Sequence, residues 1–338
     1  MPSPLMADLA ENISATIGHT PLVKLQRIPL AHGVSLYAKL EYFNPGGSAK
    51  DRTAAALIKN AQENGILHPG TPIVESSSGN LGIALAREAL LGGWEFHCVV
   101  DDRINTTTLK YLSALGAHIH QVATQPDPEF DRLAARRAKV AELLAAIPGA
   151  VTMDQYGNQA AFEAHASGTM SEILSSLGTT PDALYVAIST TGTLGGCRRR
   201  LEQAQAKTKV VAVDAEGSVL YGGCRGQRHL PGFGAGVTPE LSRFVTPDTL
   251  QRIPDIYSVA GARFLARKEG IVVGASAGAV TAAILEDRSH FQEQEQVVAI
   301  FHDGGTPYMD TIFDDAWVEH HLGASVEDLE KLMEKWEH

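Results

Sequence analysis

At 338 residues and 44% hydrophobic content, the chain can build a large core and split into two domains, and it is too apolar to be disordered. Its 39 acidic residues outnumber 28 basic ones, and the net charge of −11 argues against nonspecific nucleic-acid or anionic-membrane binding, though not against an anionic substrate in a local cationic pocket. No apolar run approaches the ~20 residues of a membrane span, the N-terminus lacks a basic-then-apolar signal pattern, and Cys98, Cys197 and Cys224 match no metal spacing, so reduced thiols and a cytoplasmic location are expected.

Residues 1–12 read as a ragged lead. The segments 20–25 and 34–40 read as strands, with His32-Gly33 between them. The second strand delivers the chain to Asn44-Pro45-Gly46-Gly47-Ser48-Ala49-Lys50-Asp51-Arg52, where proline and glycine break the preceding element and Ser48 is a good N-cap. A helix follows to about Asn64, ended by Gly65. Lys50 thus sits at a helix N-terminus, where the macrodipole disfavours a cation. That position suits an amine meant to be neutral or tied up as an imine; a solvated lysine in a capped first turn fits the stretch equally well.

Strands are expected over 71–75, 96–100 and 118–122, alternating with helices over 81–91, 105–115 and 129–146. After Gly149 the alternation restarts: helix 160–177, strand 183–188, helix 193–205, strand 209–214. Residues 215–250 are irregular and glycine-rich, long enough to be functional or mobile. Helix 256–268, strand 271–273, helix 277–285 and strand 296–301 follow, and an amphipathic helix over 325–336 closes the chain with Leu329 and Leu332 on one side. Such alternation implies an α/β fold with mostly parallel sheets covered by helices on both faces. The loops lack the spacing of the dinucleotide-binding glycine fingerprint and of the phosphate-loop lysine motif.

Five stretches carry a resemblance when taken in order: Thr16-Ile17-Gly18-His19-Thr20-Pro21-Leu22, the Lys50 loop, Ser76-Ser77-Ser78-Gly79-Asn80-Leu81-Gly82, Ser189-Thr190-Thr191-Gly192-Thr193-Leu194-Gly195-Gly196, and Gly274-Ala275-Ser276-Ala277-Gly278-Ala279. Together they resemble the fold type II pyridoxal-phosphate enzymes, in particular the cysteine synthase group, over roughly residues 13–308. The resemblance implies a two-domain fold like that of the tryptophan synthase β-subunit. Residues 1–44 would supply a lead and N-terminal strands to the large domain, 45–155 a small mobile domain, and 156–338 the large domain with the phosphate loop. A homodimer is implied as well.

Residue by residue, the resemblance makes Lys50 the Schiff-base lysine and the base at the substrate α-carbon, with pyridoxal 5′-phosphate supplying the electron sink. Ser189, Thr190, Thr191, Gly192 and Thr193 become the phosphate cradle. The glycine-rich version of this loop would have glycines at Ser189 and Thr191, so the backbone there is expected to avoid positive φ. Ser276 becomes the partner of the pyridine nitrogen, or an N-cap, or both. Asn80 becomes the contact to the cofactor 3′ oxygen. Ser77, Ser78, Asn80 and Gln155 become contacts to the substrate carboxylate, and Leu81 replaces a threonine that would join them. Arg225, Arg228 and His229 lie in the glycine-rich loop, and an arginine there would meet an anionic leaving group or a second acidic substrate. Arg225 is put forward for this role, although the sequence does not distinguish it from Arg228. Cys197 and Cys224 read as packing residues.

The departures at Leu81, in the phosphate loop and at Asp154-Gln155-Tyr156 resemble the N-(2-amino-2-carboxyethyl)-L-glutamate synthase branch. That branch implies β-replacement through an aminoacrylate intermediate, joining O-phospho-L-serine to L-glutamate on the way to 2,3-diaminopropionate for siderophores or antibiotics. A cysteine synthase using sulfide is the alternative, and a non-catalytic cofactor-binding relative a third reading.

Overall fold

The computed structural model describes residues 9–123 and 132–338, so the first eight residues of the lead expected over 1–12 and the first residues of the helix expected over 129–146 lie outside it. Two sheets organise the chain. The larger has the order β1 (Leu22–Leu25), β2 (Ser35–Leu40), β9 (Gln296–Phe301), β6 (Ala183–Ala187), β7 (Lys209–Ala215) and β8 (Thr249–Ile253). Only β1 runs antiparallel to its neighbour. The smaller sheet is all parallel, in the order β3 (Ile73–Ser76), β4 (Phe96–Asp101), β5 (His118–Val122). The N-terminal strands therefore extend the sheet made by the last third of the chain.

The central strands are apolar runs because both of their faces are covered. β6, Ala-Leu-Tyr-Val-Ala, is buried at every position. Helices α8 (Asp255–Glu269) and α9 (Ala275–Asp287) pack against one face, with Val259, Phe264, Val280 and Ile284 in that core. Helix α7 (Gly192–Gln203) covers the other face through Leu194, Cys197 and Leu201. The small sheet is covered by α1 (Lys50–Glu63), α2 (Asn80–Gly92) and α3 (Thr106–Ala114) on one side and by α4 (Arg132–Ala146) on the other. Among the described residues no helix is long and apolar enough to cross a membrane.

Several expectations are corrected. The segment 271–273 is not a strand; Val273 makes an isolated bridge to Gly304. Instead β8 forms beside the stretch read as irregular, because Thr-Leu-Gln-Arg-Ile is a half-buried edge sequence that pairs with β7. The helix over 160–177 is broken: α5 (Ala160–Glu163) passes through a π-helical segment, Ala164–Met170, into α6 (Ser171–Leu177). A helix not foreseen, α10 (Asp315–Leu322), is capped by Asp314 accepting from the Trp317 N–H. The last helix, α11 (Val326–Glu337), buries Leu329, Met333 and Trp336 against α8.

Candidate active site

The loop before α1 is built to hold Lys50 still. Gly46 approaches Asp51 so closely that a Cβ there would lie 2.3 Å from its Oδ1, while the Gly46 N–H donates to Asp51 Oδ2 at 2.9 Å. Asp51 is in turn locked to the buried Arg87. Ser48 Oγ accepts from the Lys50 N–H at 3.2 Å, performing the capping function although Ala49 immediately precedes the assigned helix. Two residues on from Lys50, Arg52 binds Glu41 at 2.7 Å and Glu172 at 2.7 Å, and Lys39 binds Glu172 at 2.6 Å. Burial pushes the Glu172 carboxyl up, but Arg52 and Lys39 overcome it and hold it down to about 2. This network ties α1 to β2 and α6.

Lys50, Asn80, Ser189, Thr190, Thr191, Gly192, Thr193 and Ser276 line one narrow cavity of about 40 Å³. Ser48, His302 and Asp303 share it. Burial pushes the Lys50 amine down to about 8, against an upward pull from Asp303. His302 is pushed down to about 3 by burial and by Lys50, so it stands neutral beside the amine.

The wall made by residues 189–193 is the N-terminus of α7. Its first amides have no intrahelical acceptor, so an anion placed there meets converging N–H groups and the positive helix end. Thr191, the residue before the helix, has φ 66° and ψ 6°, which overturns the expectation that this loop avoids positive φ. A β-branched residue in that region is strained, and the turn into α7 imposes it. The Thr191 hydroxyl is buried with no hydrogen-bond partner. A phosphate is the group whose oxygens would satisfy that orphan hydroxyl and the free helix amides together, so the cradle fits pyridoxal 5′-phosphate. Two neighbours are already engaged: Ser189 Oγ donates to the Gly234 carbonyl at 3.0 Å, and Thr193 Oγ1 shares a 3.3 Å hydrogen bond with buried His165.

In the same cavity Asp303 gathers Asn80 Nδ2 at 2.8 Å and the Tyr308 hydroxyl at 2.6 Å, with Ser276 also donating. Burial raises the Asp303 carboxyl, and these donors partly reverse the rise. Ser276 lies inside the first turn of α9, after Gly274 at the cap position, so it is not the N-cap.

The serine loop departs from its expected role in this conformation. Ser77 Oγ accepts from the Gly82 N–H at 2.9 Å, which stabilises the start of α2. Ser78 Oγ accepts from Arg136 at 3.1 Å and from the Asp101 N–H at 3.2 Å. Gln155 donates to the Ser76 carbonyl at 3.0 Å. None of Ser77, Ser78 and Gln155 lines the cavity around Lys50. Leu81 is buried in the core packed against the small sheet.

A second, larger cavity, open to solvent and of about 390 Å³, adjoins the first through Ser189. Its walls carry Arg103, Arg132, Arg136, Arg225 and Arg228, together with Tyr156. Arg136 pairs with Asp101 at 3.3 Å and Arg132 with Asp102 at 2.9 Å, and Arg225 donates to the Gly236 carbonyl at 2.7 Å. Arg228 makes no ion pair among the described residues; burial lowers its guanidinium, opposed by the pull of Asp214 and Asp255. His229, by contrast, is held by Asp255, whose Oδ2 accepts its backbone N–H at 2.9 Å and lies 3.2 Å from its Nδ1. Cys98 and Cys197 are buried, burial raising the Cys98 thiol to about 12, while Cys224 is exposed and so is not the packing residue expected.

Sequence reading missed His302, Asp303, Arg103 and Arg136. A usable signal existed for three of them: His302 and Asp303 follow β9, and Arg103 follows β4, at the carboxyl ends of parallel strands, where open α/β sheets place ligands.

The family model described as pyridoxal-phosphate dependent enzyme matches residues 13–303. The chain is 41% identical over 310 residues to the N-(2-amino-2-carboxyethyl)-L-glutamate synthase of Ralstonia nicotianae, covering 92% of this chain and 91% of that one. Among solved structures it is similar to an O-ureido-L-serine synthase (33% identity, TM-score 0.83, 92% and 99% of the two chains). It is also similar to the Entamoeba histolytica cysteine synthase (28% identity, TM-score 0.85, 99% and 98%).

Proposed function

This chain belongs to the pyridoxal-phosphate dependent enzyme family, and on that premise we propose that it joins O-phospho-L-serine to L-glutamate by β-replacement, giving N-(2-amino-2-carboxyethyl)-L-glutamate for 2,3-diaminopropionate synthesis. The observation that carries the reading is the five-arginine cavity opening beside the cofactor wall. Sulfide needs no such surface. A phosphate leaving group and a dicarboxylic nucleophile bring several negative charges to one place, and guanidinium groups answer them with charge-assisted, often bidentate hydrogen bonds.

When bound, the cofactor supplies an aldehyde that condenses with amines and a ring that takes up the electron pair left at the substrate α-carbon. The α7 N-terminus and Thr190, Thr191 and Thr193 would hold its phosphate, and Ser276 would be the partner of its ring nitrogen. Lys50 Nζ takes the proton from the α-carbon and returns it after the new C–N bond forms at the β-carbon. An amine shifted to about 8 is suited to that exchange near neutral pH. Arg228 and Arg136 neutralise the departing phosphate and the incoming carboxylates. Asn80, which donates to Asp303 here, would be free to hold the cofactor oxygen, and Ser77, Ser78 and Gln155 would reach the substrate carboxylate only after the small sheet moves toward the large one.

The domain limits 1–44, 45–155 and 156–338, a homodimer, and a cytoplasmic setting belong to the same proposal; the two separate sheets support the first and the family the second. The test is continuous measurement of inorganic phosphate released from O-phospho-L-serine. Release that requires L-glutamate and is unaffected by sulfide supports the reading. Release that requires sulfide would return the enzyme to cysteine synthesis.

A further inference from the structure

On the face of the small sheet that packs against α4, at the strand starts far from the arginine cavity, three histidines and a carboxylate converge. His97 on β4 lies directly opposite His118 on β5 in the strand register, and their rings stack at 4.7 Å between centroids. His120, two residues further along β5, shares a 3.0 Å hydrogen bond between its Nε2 and His97 Nδ1. Glu95, two residues before His97 and so on the same face, brings its Oε2 to 3.7 Å from His97 Nε2. One ligand atom from each of Glu95, His97 and His118 falls within 4.8 Å of the others.

The His97 Nε2 atom is buried and has no hydrogen-bond partner. A buried polar atom left unpaired requires a reason. Glu95 is too distant to accept its hydrogen bond. Two ligands of one tetrahedral zinc ion, each about 2.0–2.2 Å from the metal, sit about 3.4 Å apart, close to the separation seen here. His97 also has the arrangement common to metal-binding imidazoles: one ring nitrogen is fixed by a partner, which sets the tautomer and leaves the other nitrogen available to the ion.

We propose that Glu95, His97 and His118 form a binding site for a zinc-class divalent transition-metal ion, with His120 positioning His97. Two imidazoles and a carboxylate suit Zn²⁺ and its neighbours rather than Mg²⁺ or Ca²⁺, which take all-oxygen shells. A fourth position is left to water. Glu95 and His118 are exposed, and their ligand atoms lie within 4.8 Å of each other and of His97's, so side-chain rotation would bring the three to bonding distance. Bound metal joins the edge strand β5 to β4 at the end of the sheet opposite Asp101, so its effect falls on the stability of the small sheet rather than on the reaction.

The test uses tag-free holoenzyme carrying Cys224→Ser, which removes the exposed thiol as a competing ligand. Equilibrium dialysis against ZnCl₂, followed by elemental analysis, should show one saturable ion per chain. His118→Ala and Glu95→Gln, both at exposed positions, should each weaken binding at least tenfold, and His120→Ala by about 10-fold through loss of the positioning bond. Zinc should raise the thermal midpoint of the parent and not of His118→Ala. Co²⁺ bound to the parent should give visible absorption bands of low coordination number that His118→Ala lacks. No saturable ion in the parent, or equal binding by parent and His118→Ala, overturns the proposal.

Discussion

Replacing Thr191 by glycine separates two effects that coincide at one residue. In the protein Thr191 holds φ 66° immediately before α7, a conformation that costs a residue with a Cβ about 1–2 kcal/mol. Glycine removes that cost but returns about 0.5–1 kcal/mol through the greater freedom of the unfolded chain. The cofactor-free variant should therefore be more stable by about 0.5–1 kcal/mol. At roughly 2.1 cal/mol/K per residue, this raises the calorimetric midpoint of the whole chain by only about 1 °C. The same change deletes the buried hydroxyl that has no partner in the protein. A hydrogen bond to a charged group contributes about 1.5–3 kcal/mol, so pyridoxal phosphate should bind about 10- to 100-fold more weakly. The paired assay is calorimetry of the cofactor-free proteins and fluorescence titration with the cofactor. A lower midpoint would refute the strain argument; unchanged affinity would remove the hydroxyl from the phosphate contacts.

The remaining predictions concern charge and packing. Lys50 titrates at about 8 in the folded protein and near ~10.4 unfolded, so the unfolded chain binds more protons between those values and the stability of the cofactor-free protein rises with pH across that window. Lys50→Met should abolish this rise and stabilise the cofactor-free protein at pH 7 by roughly 3 kcal/mol in denaturant titrations; a loss of stability would contradict the buried-amine reading. Gly46→Ala places a methyl group against Asp51 and Arg87 and should cost roughly 3–5 kcal/mol by breaking a buried ion pair, whereas a cost under about 1 kcal/mol would show that the loop can yield. Arg228→Gln should raise KM for the acidic substrates about 10-fold or more while leaving the cofactor absorption spectrum unchanged; an unchanged KM would exclude Arg228 from substrate binding.

How much could be read in advance depended on whether a residue's role was local. The strands β5 and β9 and the Lys50 loop announce themselves through short-range pattern and turn chemistry, and the structure matches them closely. The π-helical segment 164–170 was invisible, because its register is set by packing of the chain against α7: a Cβ on Gly196 would lie 2.3 Å from the Phe162 carbonyl. Strand β8 was missed because an edge strand carries only half an apolar pattern. At the site, loops motivated by a single motif gathered around one cavity, but the arginine wall draws on the loop after β4, on α4 and on the glycine-rich loop. No sequence period links Arg103 to Arg228; only the fold brings them together. Thr191 shows the opposite failure, where an expectation from intrinsic preference gave way to the turn that α7 requires.

The most direct measurement of the central claim is mass spectrometry of the product formed when the holoenzyme receives O-phospho-L-serine together with equimolar L-glutamate and sulfide. The account predicts the three-carbon adduct of glutamate as the dominant product. Cysteine alone, with no glutamate adduct, would contradict it.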